Sequence, residues 1–515
     1  MRVTRHAHRH IRAAVVCTVV LTIAPCARIA TATSIPAWAT YAGNAQHAAL
    51  AAAGAQSLTR IRWHTPVDLA PQYSGTELLI HYGSPLISAA NTVVVPVKVG
   101  ATDGFEVEGR RGSDGALLWT QTSDYLVPPH DWLPSFGPVL TRRKLWLPGR
   151  GGTVYTRTQV DRPDRSRVRQ RVFYGAAAYG VDPTAYDGAV FVNTPLVADR
   201  HGTVFFGFQV TTPTPIGLAS GIARITKRGR GRWVSAATAA ADPSITKVAH
   251  NSAPALSADG RTAYVAVSDG NGWGGAAGYL VALDGRTLAT RARVRLVDPA
   301  SGLDADVHDD GTASPTVGPD GDIYFGVLES PLGSHHARGW LLHFDAMLQP
   351  KGAAGQFGWD DTASIVPAAM VTGYAGSASY LLMTKYNDYV EAGGSGVNRI
   401  AMLDPTATML DPISGIPVMQ EVATVAGPTH DDDFPGMPQA VREWCINSAV
   451  VDPTTRAILA NNEDGTLYRW DTTTGTLAQS ITLTSGIGEA YTPTLVGPDG
   501  TVFAINDATL FAVGD

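Results

Sequence analysis

The chain has 515 residues, of which 16% are charged, and its formal net charge is −6. This charged fraction is well below the ~25% typical of soluble domains, which excludes a long polar disordered protein and a coiled coil. The 54 glycines and 33 prolines place turn residues so often that many short strands are favoured over long helices.

The first 32 residues have the pattern of a secretory signal peptide. Residues 1–12 carry four arginines and no acid, and the apolar stretch at 13–26 is too short to span a bilayer. The small residues Ala30, Thr31 and Ala32 follow as a cleavage site. We therefore expect residues 1–32 to be removed, no transmembrane segment to remain, and the mature protein to be exported to the periplasm or the extracellular space.

Removal of the signal peptide makes the mature chain more acidic and almost free of cysteine. It takes away five arginines and no carboxylate, which lowers the formal net charge from −6 to −11. A negative surface disfavours nucleic acid and anionic lipid as partners. Cys17 and Cys26 leave with the signal peptide, so Cys445 alone remains and no intramolecular disulfide can form.

One phrase recurs along the rest of the chain. A small residue and a proline lead into a short strand, and an Asp-Gly turn then leads into a second, β-branched strand, as in residues 251–267, 312–327 and 491–505. The copies are marked by Pro85, Pro138, Pro195, Pro254, Pro315, Pro367, Ala449 and Pro493. Their spacings run from 44 to 61 residues, except for 82 between Pro367 and Ala449.

Four-stranded units at this period are typical of β-propeller blades. The pattern predicts an all-β, eight-bladed propeller over residues 59–515, with an insertion around 405–446. The last unit lacks a fourth strand, and residues 59–64 form a lone strand near the mature N-terminus. We expect this strand to complete the last blade and close the ring. Residues 33–58 are predicted to be a leader on the surface.

Three phrases resemble those of a known repeat family. Residues 38–47 resemble the Trp…Gly-Gly-Asn…His opening of the pyrroloquinoline quinone (PQQ)-like propellers, and residues 464–477 are similar to their Asp-Gly-x-Leu-Tyr blade phrase. Residues 113–119 resemble their Thr-Gly-x-x-x-Trp ending. The resemblance covers nearly the whole mature chain and implies the propeller fold. It leaves function open, because the family includes quinoprotein alcohol dehydrogenases and a scaffold lipoprotein of outer-membrane assembly.

Polar residues gather in the loops that enter the innermost strands, which lie on one face around the mouth of the central channel. The candidate residues at this mouth are His81, His130, His250, His308, Asp309, Asp310, Asp360, Asp361, His430, Asp431, Glu443 and Glu489. Such a face is suited to a cationic ligand, or to Ca²⁺ or another divalent metal, for which His308, Asp309, His430 and Asp431 are the candidates. The alternative is that these side chains only cap turns.

Two classes of function stay open. The first is a secreted, monomeric binding or scaffolding propeller that takes a protein or small molecule at the channel mouth. The second is an enzyme, either a lyase or hydrolase using histidines and a metal, or a quinoprotein-type dehydrogenase. Resemblance to the dehydrogenases implies a disulfide between adjacent cysteines over the quinone. The single Cys445 of the mature chain argues against PQQ.

Overall fold

The computed structural model describes the chain from Ile35 to Asp515, apart from short gaps, and the terminal Met1. The structure does not describe residues 2–34, 75–76, 80–82, 102, 130–135, 143, 163–164, 273, 310–312, 487 and 489–490. The predicted signal peptide falls in this set, as do four of the candidate residues, namely His81, His130, Asp310 and Glu489.

Eight antiparallel sheets form a ring, so the predicted eight-bladed propeller is confirmed. From the innermost strand outward, blade one contains Leu86–Ile87, Thr92–Lys98, Asp103–Arg111 and Leu117–Leu126, and blade two contains Val139–Leu140, Lys144–Pro148, Thr153–Thr158 and Val168–Val172. Blade three contains Val190–Val192 with Val197–Ala198, then Val204–Val210, Gly221–Ile225 and Gly231–Ser235. Blade four contains Lys247–Val248 with Ala255–Leu256, then Thr262–Ser268, Gly278–Asp284 and Thr290–Arg295.

Blades five to eight continue the ring. Blade five contains Thr316–Val317, Ile323–Val327 and Trp340–Phe344, with isolated bridges at its outer edge. Blade six contains Ser364–Pro367, Tyr380–Tyr386, Arg399–Leu410 and Pro417–Ala426, and blade seven contains Val450–Asp452, Ala457–Asn461, Thr466–Asp471 and Thr476–Thr482. Blade eight contains Leu495–Val496, Val502–Asn506, Thr509–Gly514 and the N-terminal strand Arg60–Pro66. A separate hairpin joins Gln72–Ser74 to Glu77–Leu79.

Helices make up only 6% of the structure. They are the α-helices Ala176–Val181, Pro183–Asp187 and Ala236–Ala240 and the 3-10 turns Arg150–Gly152, Ala368–Met370 and Val390–Ala392. Among the described residues, no helix has the length and apolar character needed to cross a membrane.

Burial follows position within a blade. All seven residues of Thr92–Lys98 are buried, as are all seven of Tyr380–Tyr386, because both faces of a second strand pack against neighbouring blades. The outermost strands, such as Thr476–Thr482, keep an exposed face. Doubly covered strands favour continuous β-branched and aromatic runs, and these runs appear in the repeated phrase.

The N-terminal strand closes the ring, as predicted. Arg60–Pro66 pairs antiparallel with Thr509–Gly514 to complete blade eight. Trp63 Nε1 donates to the Gly112 carbonyl of blade one at 2.8 Å. Just beyond the strand, Lys98 Nζ of blade one lies 2.9 Å from Asp68, and both side chains are fully buried. The closing strand is therefore fixed to the blades on both of its sides.

The leader was predicted to lie on the surface, and this prediction is wrong. Residues 38–56 run around the axis and bond to the innermost part of every blade in turn. The bonds join Trp38 to Ile87, Ala39 to Leu140, Thr40 to Leu196, Ala45 to Leu256, Gln46 to Val317, Ala48 to Ile365, Ala51 to Val451 and Gln56 to Gly500. The physical reason is that innermost strands expose unpaired backbone groups toward the axis, and the leader satisfies them.

The residues of the Trp…Gly-Asn…His phrase hold the leader in this path around the axis. Trp38 is fully buried, and Gly43, at φ +89°, packs so closely on its ring that an added Cβ would lie 3.4 Å from it. Asn44 Oδ1 accepts two backbone N–H groups, which shapes the turn. His47 Nδ1 lies 2.7 Å from the Pro315 carbonyl. The phrase is therefore a structural device in this chain.

The segment predicted as an insertion, 405–446, has two parts. Residues 405–426 belong to the long outer hairpin of blade six, whose strands are 12 and 10 residues long. Residues 427–446 form the loop that leads to blade seven. This loop carries His430 and Asp431 to the mouth face.

Candidate functional site

The channel mouth is formed by the loops that enter the innermost strands and by those that join second to third strands. Neighbouring loops approach so closely that only small residues fit before the prolines. A Cβ on Gly83 would lie 2.1 Å from the Phe136 carbonyl oxygen, and one on Gly137 would lie 2.6 Å from Pro195 Cβ. Glycine at positions 83 and 137 is thus a packing requirement.

Tyr41 of the leader occupies the axis below this mouth. Its hydroxyl lies 2.8 Å from Thr362 Oγ1, and burial raises its pKa above the ordinary range. The cavity beside it measures about 20 Å³, which is room for about one water molecule. The cavity is lined by Tyr41, Gly83, Ser84, Gly137, Pro138, Pro195, Asn251, Asn447, Tyr491 and Thr492. Within the described part of the chain, the axis is therefore filled.

Three candidate residues come together between blades four and five, in what we call the histidine group. The candidates His250 and His308 line one cavity of about 10 Å³ together with the buried Asp306, which was not among the candidates. The third candidate is Asp309. Asp309 accepts the His250 backbone N–H at 2.9 Å and pairs with Lys247. These three candidates therefore lie together in the structure, while a shared face for the whole candidate set stays a prediction.

The charges of the histidine group are balanced internally. Burial alone would raise the pKa of Asp309, but His250 and Lys247 hold it below its ordinary value. Burial raises the pKa of Asp306, which accepts the backbone N–H groups of Gly274 and Ala276. The group thus holds one carboxylate ionised beside a second that is easier to protonate.

A second group, the lysine group, lies between blades six and seven. Lys385 Nζ is 2.6 Å from Asp360 Oδ2, and both side chains are almost wholly buried. The ammonium also faces the rings of Phe357 and Tyr491 at 5.7 and 5.5 Å. Burial alone would lower the pKa of Lys385, but Asp360 raises it, so the cation is held charged.

Asp361 lies beside this ion pair with incomplete bonding. It accepts the Lys385 backbone N–H at 3.2 Å, while its Oδ1 has no hydrogen-bond partner among the described residues. Burial raises its pKa to about 7. A carboxyl group with this pKa exchanges its proton near neutral pH.

Cys445 borders the lysine group together with two acids. Ligand atoms of Glu443, Cys445 and Glu463 lie within 4.8 Å of one another. A thiol with two carboxylates could hold a borderline metal such as Zn²⁺. In this structure the Cys445 thiol donates to Glu463 at 3.4 Å, and Arg442 lies 3.8 Å from the same carboxylate. Burial raises the pKa of Glu463.

His430 and Asp431 lie in the loop beside Glu463. Asp431 is buried and 2.8 Å from Arg442, which also pairs with Asp433 at 2.7 Å. His430 is exposed, and its Nδ1 lies 2.9 Å from the Ala440 carbonyl. The four residues predicted to bind a metal, two in the histidine group and two in this loop, do not form a metal-binding cluster.

Sequence reasoning placed eight described candidates in the mouth loops but missed Lys385, Glu463 and Tyr41. Lys385 had a signal, because it is the one charged residue in the buried apolar run Tyr380–Tyr386. Glu463 had only its place beside an Asp-Gly turn. Tyr41 had none, because its position depends on the path of the leader.

Comparison with known proteins rests on structure alone. No family profile matches the chain, and no curated protein matches it. A europium-containing methanol dehydrogenase superposes with a TM-score of 0.56 at 10% identity, covering 91% of this chain and 89% of its own. A quinohemoprotein alcohol dehydrogenase from Pseudomonas putida HK5 gives 0.51 at 11% identity, covering 93% of this chain and 76% of its own. BamB from Moraxella catarrhalis gives 0.44 at 13% identity, covering 88% and 100%.

The chain has the fold of the PQQ-like β-propellers. Likeness at this level of identity concerns the fold, so the quinone must be tested against the residues present. Ligand pockets for molecules of that size measure ~300 Å³ or more. The cavities described at the axis and at the histidine group measure about 20 and 10 Å³. Neither of these two cavities has room for the quinone.

Proposed function

We propose that this protein is a binding propeller whose channel mouth recognises a cationic ligand, namely a basic segment of a protein partner. The observation that carries the proposal is the excess of acid at a mouth whose channel is filled. The two groups and their adjoining loop contain nine acids, Asp306, Asp309, Asp360, Asp361, Asp431, Asp432, Asp433, Glu443 and Glu463, against three cations, Lys247, Lys385 and Arg442.

The acids divide into two roles. Buried carboxylates such as Asp360 and Asp309 are paired with lysines and hold the loops in place. The exposed Asp432 and Asp433 lie at the outer edge, where they meet solvent, although Asp433 also pairs with Arg442. Exposed acids on one face steer a cationic partner and weaken with salt. The cavities at the mouth, of about 10 and 20 Å³, support recognition of a surface segment there over conversion of an enclosed substrate.

Calorimetric titration with a defined probe tests the proposal. A ten-residue peptide of alternating lysine and glycine should bind at low salt, and Asp432→Asn/Asp433→Asn should weaken binding at least fivefold. Asp114→Asn/Asp259→Asn, which removes the same charge from exposed turns on the opposite face, serves as the matched control. Absence of binding at low salt, or equal weakening in the control, would overturn the proposal.

Export is a separate part of the proposal. The arginine-rich start, the short apolar stretch and the small residues at 30–32 support removal of residues 1–32 during secretion. N-terminal sequencing of the protein recovered from the exported fraction should give Thr33 as the first residue. A mature chain that begins at Met1 would contradict this part.

A further inference from the structure

Three consecutive blades carry arginine at every second position near their outer edge. The rows are Arg167, Arg169 and Arg171 in blade two, Arg228, Arg230 and Arg232 in blade three, and Arg291, Arg293 and Arg295 in blade four. They coincide with the outermost strands or the turns leading into them. In the strand Val168–Val172 a period of two places Arg169 and Arg171 on one side, whereas Arg228 and Arg230 lie in the turn before their strand.

The rows differ in whether their charge is neutralised. In blade four, Arg291 pairs with Asp284 at 2.6 Å and Arg295 with Asp304 at 2.7 Å. In blades two and three, no carboxylate of the described residues lies within ion-pair distance of the two rows. Among the residues that the structure describes, two of the three rows are therefore without a paired carboxylate.

These two rows form one surface across the boundary between blades. Lys144 Nζ of blade two donates to the Lys227 carbonyl of blade three at 3.4 Å. An added Cβ on Gly229 would lie 3.1 Å from Arg171 Cδ. Burial, and then Arg171 and Arg169, lower the pKa of Lys144. We call this surface the basic rim; it comprises Arg142, Lys144, Arg167, Arg169, Arg171, Lys227, Arg228, Arg230 and Arg232.

The negative net charge of the whole chain gives no indication of this basic surface. Residues 142–171 and 224–232 hold 15 of the 39 lysines and arginines but only two of the 45 acids. The sequence-based exclusion of anionic lipid treated the negative charge as evenly spread. Because screening limits the reach of a charge to ~10 Å at ordinary salt, a partner at the rim is governed by the rim's own charge.

We propose that the basic rim docks the protein on a membrane surface rich in anionic phospholipid. Seven of the nine cations of the rim are arginines, whose planar fork suits phosphate oxygens. Exposed apolar side chains lie near them: Val168, on the opposite side of the strand that carries the first row, is 48% exposed, and Val181 is 86% exposed. Val181 ends the helix Ala176–Val181, which packs on strand Val168–Val172. Basic and projecting apolar residues together favour an interfacial contact over an acidic protein or a polymer.

Vesicle co-sedimentation tests the docking surface. The purified protein should bind vesicles containing about one third phosphatidylglycerol but not vesicles of phosphatidylcholine alone, and about 300 mM salt should release it. Arg167→Gln/Arg169→Gln/Arg230→Gln/Arg232→Gln should weaken binding at least tenfold. Arg111→Gln/Arg261→Gln/Arg293→Gln/Arg456→Gln, with the same charge loss outside the rim, should bind like the unmodified protein. Thermal unfolding of both variants establishes that they fold.

Three outcomes would overturn the proposal. They are absence of binding to the anionic vesicles at about 50 mM salt, equal loss of binding in the rim and control variants, and tight binding to a soluble anionic polymer such as heparin without binding to vesicles. The last outcome would assign the rim to a polymer. Each outcome leaves the cationic-peptide titration at the mouth unaffected, so the two proposals fail separately.

Discussion

At the scale of single residues, the mouth is built on charges that water does not reach. Lys385 and Asp360 are paired at 2.6 Å with almost no exposure. The desolvation cost of such a pair is repaid only while both members are present, because either one alone is a buried charge without a partner. The pair therefore acts as a rigid anchor for the loop that also carries Asp361.

Removing one member of this pair is expected to be costly. Lys385→Met should lower the free energy of unfolding by about 3–5 kcal/mol, because Asp360 is left charged and buried. The double variant Lys385→Met/Asp360→Asn should regain most of that loss. Urea denaturation of the two single variants and the double variant measures the coupling. Additive losses would show that the two residues do not stabilise each other.

Asp361 gives the fold a dependence on pH. Burial raises its pKa from 3.8 to about 7, so between these values the folded protein keeps a proton that the unfolded chain has lost. Its contribution to stability is present below pH 3.8 and is lost as the pH rises through 7. Asp361→Asn, which resembles the protonated form, should therefore gain stability over the unmodified protein as the pH rises, by up to about 4 kcal/mol above pH 8.

Denaturant unfolding at pH 4.5, 6, 7.5 and 8.5 checks this expectation. Asp259→Asn is the control of opposite sign, because a hydrogen bond from Ser257 holds the pKa of Asp259 below its ordinary value. Its contribution is lost as the pH falls, so the asparagine variant should gain nothing at high pH. A constant difference between Asp361→Asn and the unmodified protein across this range would contradict the assignment.

At the scale of elements, the leader forms an inner ring that is hydrogen-bonded to every blade. Eight innermost strands would otherwise present unpaired backbone groups to the axis, and residues 38–56 bond to each blade in order. His47 is part of this ring, and burial lowers its pKa to about 4, so it stays neutral within the fold. The leader is thus as integral to the propeller as any blade.

Truncating the leader's largest side chain tests this role. Trp38 is fully buried, so Trp38→Ala should lower the free energy of unfolding by about 3–5 kcal/mol. Val181→Ala, at a position 86% exposed, should change it by less than about 0.5 kcal/mol. Thermal and urea unfolding measure both variants. A stability unchanged by Trp38→Ala would place the leader outside the cooperative fold.

At the scale of the whole molecule, ring closure depends on contacts distant in sequence. Strand Arg60–Pro66 pairs with the last strand of the chain, and Trp63 bonds to blade one. Trp63→Phe removes the bond to Gly112 but keeps most of the ring, and should cost about 1 kcal/mol. Arg60→Gln, at an exposed position of the same strand, should cost less. If urea unfolding showed equal losses of stability in Trp63→Phe and Arg60→Gln, the hydrogen bond from Trp63 to Gly112 would not contribute to ring closure.

The blades were predictable because their signals are local. A proline shortly before six of the eight inner strands, and an Asp-Gly turn after several of them, depend on nearby backbone geometry. In blade six Pro367 instead ends the inner strand Ser364–Pro367, and blade seven has Ala449. The missing fourth strand of the last blade indicated Arg60–Pro66.

The path of the leader was not predictable, since its partners exist only once the ring has closed. The repeat register also placed His250 and Asp360 at the mouth. It could not indicate that Lys385 reaches Asp360 from a neighbouring strand.

The basic rim shows that the net charge of the whole chain does not reveal how charge is distributed over its surface. Three arginine rows are visible in the sequence, but only the folded chain shows that Arg291 and Arg295 of blade four are paired with acids, whereas no described carboxylate pairs with the rows of blades two and three. The molecule thus has an acidic mouth and a basic rim, and each is suited to a partner of opposite charge.

The central claim is that recognition occurs at the acidic mouth. Amide hydrogen exchange, followed by mass spectrometry with and without the alternating lysine-glycine peptide, locates the binding surface directly. Added protection is predicted in residues 306–309, 360–362, 429–433 and 443–448, with the outer strands unchanged. Protection confined to residues outside these loops, or none at a saturating peptide concentration, would contradict the claim.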